Sequence, residues 1–549
     1  MAEDDSSEKL EPANRPGWAR LALSFLFGLL IFATVHTQAP LFYSNQNQYL
    51  LHGLAQGGLG DLQHDWLANT TDPTPVFSSL VAITYRYLPL WTLYVDYAIL
   101  LGLYFVAVMG LLEFACGERL TGSRWLAAAF MICLVHAAAL RFFWVYWRGH
   151  DYPWYFQSGL AGQYLLGPVL QPSAFGILLV VSLYAFVAER PILASILAAL
   201  AVVMHATYAP TATMLVLGYL FVLGRERRWR TAAAAGGLAL VIAVPIVAWQ
   251  LIHFGPTSPE VYAKGQEILV HFRIPHHTLP EKWFSWVAAM QIVWMIAGLA
   301  AAWRTRLFPV LVLVFLVSLA LTILQLIVKN DTLALLFPWR ASALLVPVAT
   351  VLLIGRAFLF LGESSGQQTR IIGVASAVGI LVLCLAGVAI MHYHLAYRMN
   401  ADEEPLLEFV RTHRVDGDVY LLPVKSPALA GGKRGVPSTS FTRPPKQDRD
   451  RNLVAVDLQR FRLVTGAAIV VDFKSIPYKD ADVLQWRQRI DDCEWLYRQP
   501  DWNAPDVREK LKQYGVTHVV ATINQKLQGS NLVEIYQDRW YRIYKVQKN

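Results

Sequence analysis

The sequence predicts a polytopic α-helical membrane protein that carries a soluble α/β domain at its C-terminal end. Three observations predict it. The chain has 549 residues, of which 55% are hydrophobic and only 16% charged, whereas soluble domains are about a quarter charged. Apolar runs of bilayer-spanning length recur from residue 17 to about residue 395. From residue 399 onward Asp, Arg and Lys become frequent and no span-length run occurs.

Residues 1–16 form a polar tail of mixed charge. The run that follows, LALSFLFGLLIFATV, lacks a small-residue cleavage pattern and is expected as a retained first span. Runs of about 17–25 apolar residues, with allowance for short ones, give about eleven spans. They fall near 17–39, 90–115, 123–143, 172–188, 190–205, 209–224, 231–253, 284–303, 307–327, 339–361 and 371–395. The three segments within 172–224 are short, and HATYAP at 205–210 fits a re-entrant break as well as a loop.

The loops orient this count. GERLTGSR, Glu189-Arg190, GRERRWR, WRTR and the stretch from Arg356 to Arg370 all fall on one side. By the positive-inside rule that side is the cytoplasm. The long loops 40–89, 144–171, 254–283 and 328–338 fall on the other side, with residues 399–549. The expected location is therefore a multi-pass cell (inner) membrane, tail inside and C-terminal domain outside. Much of the net charge of +8 lies in the short loops, so it sets topology and does not argue for nucleic acid. Of the four cysteines only Cys493 lies in the soluble part, which leaves neither a disulfide framework nor a CxxC metal pattern.

The first long loop carries GDLQHDWLANTTDPTPVFS at 60–78. The preceding apolar residues, Leu50, Leu51, Leu54 and Leu59, are spaced for short helices lying in the interface. If 61–68 is helical, Asp61 and Asp65 share a face, with His64 beside it. Like charges so close call for a cation, a proton or a cationic substrate. The plainer alternative is a solvated loop whose aspartates cap helices. Polar residues near other span ends, among them Arg148, His205, Tyr208, Lys329 and Arg340, favour a lined cavity instead. In HFRIPHHTLP, His271, His276 and His277 invite a metal reading, although no cysteine or spaced carboxylate supports it.

With many spans, an acidic first loop and a C-terminal domain on the same side, the chain resembles the GT-C type glycosyltransferases. The resemblance covers the architecture of nearly the whole chain and one local feature, the segment with Asp61 and Asp65. GQYLLGPVLQPSAFG at 162–176 and RFRLVTGAAIVVDFKSIPY at 460–478 are similar to segments of bacterial membrane proteins grouped near that superfamily. The chain lacks the family's WWD-type oligosaccharyltransferase signature and a clean DxD pair, so the resemblance leaves a divalent cation open. It implies an inverting transfer of a sugar from a polyprenyl-phosphate donor at the bilayer's outer face. The acceptor, whether glycan, lipid or protein, is left unspecified. Asp65, with Asp61 second, would then be the general base. Arg340, then Lys329 and Arg148, would hold the phosphate. His64, His205 and Tyr208 complete the expected substrate site. A transporter or flippase for lipid-linked saccharides, or a non-catalytic scaffold of the same fold, are the competing readings. A transporter would favour internal repeats and mid-membrane charges, and no repeat is evident.

Residues 399–549 alternate helix and strand signals. DEEPLLEFVRTH, DADVLQWRQRIDDCEWLYRQ and APDVREKLKQYG are helical in pattern. DVYLLP, AAIVVDF, THVVATI, LVEIYQ and WYRIYKV are expected strands, the last two a hairpin. The basic, proline-containing stretch GGKRGVPSTSFTRPPKQDRDRN is expected as a loop.

Overall fold

The computed structural model describes residues 17–360, 366–395, 397, 401–424 and 458–547. The loop GGKRGVPSTSFTRPPKQDRDRN lies outside them. A helix occupies each of the eleven expected spans, yet among the described residues only seven helices are long and apolar enough to cross a membrane. An eighth is reached if Gly122–His136 and Ala138–Arg148, bent by 46° at Ala137, count as one. Pro172–Val187, Pro191–Met204 and Trp286–Ala301 are shorter, the second being 14 residues long, where a span needs about 20. The count of eleven full spans is therefore revised to seven or eight, because hydropathy measures apolar content and not where a helix stops.

The stops have local causes. Pro191–Met204 ends at His205, whose backbone is extended. The single turn Ala206–Tyr208 follows, and Pro210 opens the next helix, Ala209–Arg225. Proline lacks the donor of a continuous ladder and disfavours helical geometry just before it. HATYAP is thus a true break between two helices.

Beside the helical body lies a five-stranded mixed sheet in the order β2-β1-β3-β5-β4. Its strands are β1 (Val419–Leu421), β2 (Ala468–Ile469), β3 (His518–Thr522), β4 (Leu532–Gln537) and β5 (Tyr541–Val546). β1 pairs parallel with β2 and β3, while β5 pairs antiparallel with β3 and β4. Successive residues serve opposite faces, as strand geometry requires. Leu421, Val519 and Ala521 pack with Trp486 and Ile490 of the helix Asp480–Leu496. Tyr420, Val520 and Ile543 pack with Leu406 and Val410 of the helix Glu404–His413. AAIVVDF forms a strand only at Ala468–Ile469, because Val470 and Val471 lead off into a turn toward the first long loop.

The sheet domain's core is not its own. Ile268 and Leu269, from the loop after the helix Trp229–His253, belong to it. The first long loop docks as well: Gly60 and Gly466, both at positive φ, meet backbone to backbone. The Asp61 amide donates to the Gly466 carbonyl at 2.8 Å. A Cβ on Gly60 would lie 2.4 Å from that carbonyl oxygen. Gly60→Ala is therefore expected to lower stability by about 1–3 kcal/mol, read as a lower thermal midpoint and faster proteolysis in the 60–70 segment. Gly237→Ala, where the added methyl meets nothing within 4 Å, should leave both readouts unchanged or improved.

Candidate functional site

The first long loop runs through the short helices Gln46–Tyr49 and Leu51–Gly57 and turns at Gly58. Residues 61–68 are not one helix. Leu62–His64 and Leu67–Asn69 are separate single turns, so Asp61 and Asp65 do not share a helical face. The carboxylate of Asp61 accepts from Gly417 N at 2.7 Å and pairs with His64 Nδ1 at 2.5 Å. Burial pushes the Asp61 carboxyl up, but the bonds from Gly417 and His64 outweigh it and hold it below the ordinary range. His64 itself is largely exposed.

Asp65 is fully buried. One oxygen accepts the amides of Leu67 and Ala68 at 2.9 and 3.2 Å. The other accepts Ile469 N at 3.0 Å and Arg462 Nε at 2.8 Å. Four donors use the lone pairs of a carboxylate. Arg462 reaches with its Nη1 to Asp472, also at 2.8 Å. The acid pair expected to do chemistry is thus placed as a fastening between the first loop and the sheet domain. Neither acid lines the cavity described next.

That cavity, of about 490 Å³, lies where the helical body meets the sheet domain. Arg340, Lys474 and Arg273 line it. Arg340 comes from the turn Pro338–Ala341, and its Nη2 stands 3.3 Å from His205 Nε2. Its guanidinium stacks 5.2 Å from the ring of Tyr208, whose hydroxyl donates to the Ser173 carbonyl at 2.6 Å. His205 lines the cavity, while Tyr208 supports Arg340 from behind. Lys474 donates to Asn45 Oδ1 at 2.5 Å. It is enclosed by protein, with part of its surface open to the cavity. Burial, then the neighbouring Arg273, push its ammonium down to about 7, against an opposing pull from Asp472.

His277 donates through Nδ1 to the Ala161 carbonyl at 2.6 Å, which assigns the tautomer and leaves Nε2 as an acceptor. Burial holds it down at about 4, against that hydrogen bond, with Arg340, Arg273 and Lys474 adding to the depression. The rest of the wall is rich in uncharged polar groups. Gln48 donates to the Tyr478 hydroxyl at 2.8 Å, and Asn45 and Gln171 each approach the Tyr164 hydroxyl at 3.4 Å. The sole lining carboxylate among the described residues, Asp480, is taken up by Thr257 N, Thr257 Oγ1 and its own neighbour's amide.

A second, apolar cavity of about 410 Å³ lies between the helices Trp286–Ala301 and Leu307–Val328. Met295, Phe315, Leu319, Trp283 and Trp339 line it, the two indoles 5.2 Å apart. Trp339 precedes Arg340, so one short turn separates the apolar cavity from the cationic one.

The other expected residues lie elsewhere. Lys329 is exposed at the end of Leu307–Val328, and Arg148 is exposed over the Trp147 ring. Among the described residues no group of three or more His, Cys, Asp or Glu could hold a metal ion. His271 pairs instead with Asp331 at 3.0 Å. No signal in the sequence marks out Lys474, Tyr478 or Arg273, although Lys474 and Tyr478 lie in VVDFKSIPY and Arg273 in HFRIPHHTLP. Only their convergence in space marks them.

Asp65→Asn is expected to cost about 3–5 kcal/mol, since it leaves a buried guanidinium short of charge. His64→Ala, at an exposed partner, should cost under about 1 kcal/mol. Thermal unfolding of both variants checks the contrast. The contribution of Asp61 has a defined sign with pH. Its carboxyl is depressed in the folded state, so the stabilisation is present at neutral pH. It fades as pH falls through the carboxylate range, and an Asp61→Asn variant should lose that part of the acid-side slope.

A domain family of unknown function, DUF6798, matches residues 443–493. That segment includes Arg462, Asp472, Lys474 and Tyr478, the residues that fasten the first loop and reach the cavity. No curated protein matches the chain.

Proposed function

We propose that the protein is a membrane glycosyltransferase that takes a sugar from a polyprenyl-phosphate donor, with the cationic cavity as its site. The observation that carries this reading is the sequence of surfaces around Arg340. An apolar cavity between membrane helices suits a prenyl chain, the cations beside it suit a phosphate, and the amides and phenols beyond suit a saccharide. The prenyl chain would lie among the helices and the sugar would face the sheet domain, on the outer side of the membrane.

With Asp61 and Asp65 consumed by docking, the base belongs to the cavity in this reading. His277 is the candidate. Its Nε2 carries the free lone pair, and at about 4 its basicity equals that of a carboxylate. It would take the acceptor hydroxyl's proton as the new glycosidic bond forms, while Arg340 holds the charge growing on the leaving phosphate. One observation favours a second reading, a carrier that binds lipid-linked saccharides without transfer: Asp480, the one lining carboxylate among the described residues, is already engaged.

The test is turnover of a panel of polyprenyl-phosphate sugars by the protein in lipid nanodiscs. Arg340→Met should lower transfer by about 10²–10³-fold and His277→Gln by about 10²-fold. Asp61→Asn and Asp65→Asn, corrected for folded fraction, should keep most of it. Donor binding without sugar release would select the carrier instead.

A further inference from the structure

We propose that Lys474 is a phosphate-binding residue of the cavity, presented by the sheet domain opposite Arg340, and that it takes up a proton when the phosphate arrives. The proposal rests on reading the cavity as a phosphate site, and extends it to a residue and a proton.

The geometry supports it from both sides. Arg340 enters from the end of a long helix, whereas Lys474 lies on a loop of the sheet domain. A ligand touching both would tie the two parts of the molecule together. The loop is held firmly. Asp472 pairs with Arg462 and accepts Ser475 N at 2.5 Å, and Arg273 Nη2 donates to the Lys474 carbonyl at 2.6 Å. Lys474 Nζ therefore stands over the cavity with an amide oxygen, that of Asn45, as its hydrogen-bond partner.

The charges around it are unbalanced. From the preceding loop, Arg273 repels it and His277 is neutral. Arg340 adds positive charge from the helix end. In its own segment Asp472 is the one attracting acid, but its oxygens already serve Arg462 and Ser475. Asp480 is saturated by Thr257, while burial pushes the phenol of Tyr49, from the first loop, well up, so it supplies no negative charge. An enclosed ammonium without a dedicated acid surrenders its proton readily, which agrees with its depression to about 7. A phosphate dianion supplies the missing countercharge and restores that proton.

The test is calorimetric binding of farnesyl phosphate to the full chain in detergent micelles at pH 8. It is run in two buffers of different ionisation enthalpy, with farnesol and inorganic phosphate as further arms. At that pH a lysine titrating near 7 is about nine-tenths neutral, so binding should take up about one proton. Lys474→Met, a near-isostere, should abolish the uptake and weaken binding by about 10–100-fold. Lys474→Arg should bind within about threefold of the original with no uptake. Proton uptake that persists in Lys474→Met, or its absence in the unaltered protein, overturns the proposal. Loss of binding in Arg340→Met but not in Lys474→Met overturns it while leaving the cavity a phosphate site. Failure of the unaltered protein to bind farnesyl phosphate or inorganic phosphate overturns both. Inorganic phosphate binding as tightly as farnesyl phosphate, with the same Lys474-dependent uptake, upholds Lys474 but assigns the site to free phosphate.

Discussion

One guanidinium, that of Arg462, joins the first long loop to the sheet domain, with Asp65 on one side and Asp472 on the other. Two carboxylates and one cation would be a poor bargain for burial if left bare. They are not bare. Asp65 accepts three backbone amides besides the arginine, and Asp472 accepts Ser475 N. These donors spread the surplus negative charge over backbone dipoles that desolvation strengthens. The same fastening sets where the cavity wall stands. Two residues after Asp472 the chain presents Lys474, and four further on Tyr478 meets Gln48 of the first loop. Asp65 therefore acts on the cavity through Arg462 and Asp472, with no contact of its own.

The cavity exists because helices stop early. Pro191–Met204 ends at His205, and Ser342–Phe360 is entered through the turn carrying Arg340. These two interrupted ends meet, and their polar groups satisfy one another across a 3.3 Å contact. Uninterrupted helices would have filled the space with apolar side chains. The sheet domain then roofs the gap, so Arg340 works in a low dielectric, where its field reaches further than in water. Trp339, on the same turn, points the opposite chemistry into the apolar cavity behind it.

Much of this was legible in the chain. The apolar runs located the long helices of the body, since side chains facing lipid and neighbouring helices must be apolar along the whole length, but not Pro75–Tyr87, which lies within the expected loop 40–89. The C-terminal strands and helices were legible from periods of two and 3.6, including the closing hairpin of β4 and β5. What periodicity missed was termination. Three helices fell short of a span, and AAIVVDF kept two residues of strand, because a buried run looks the same whether it pairs, packs or turns.

The site was legible in part for the same reason. Arg340 and His205 stood out as polar residues at span ends, where burial demands a purpose. Asp61 and Asp65 stood out as acids close in sequence, yet the residues that consume them, Gly417 and Arg462, lie roughly 350 to 400 positions away. The sequence by itself determined the membrane body, the α/β domain and the chemical types available, because hydropathy and period are local properties. Only the tertiary structure decided which acids are spent on docking and which cations share a cavity. Desolvation and pairing depend on neighbours that distant stretches of chain supply.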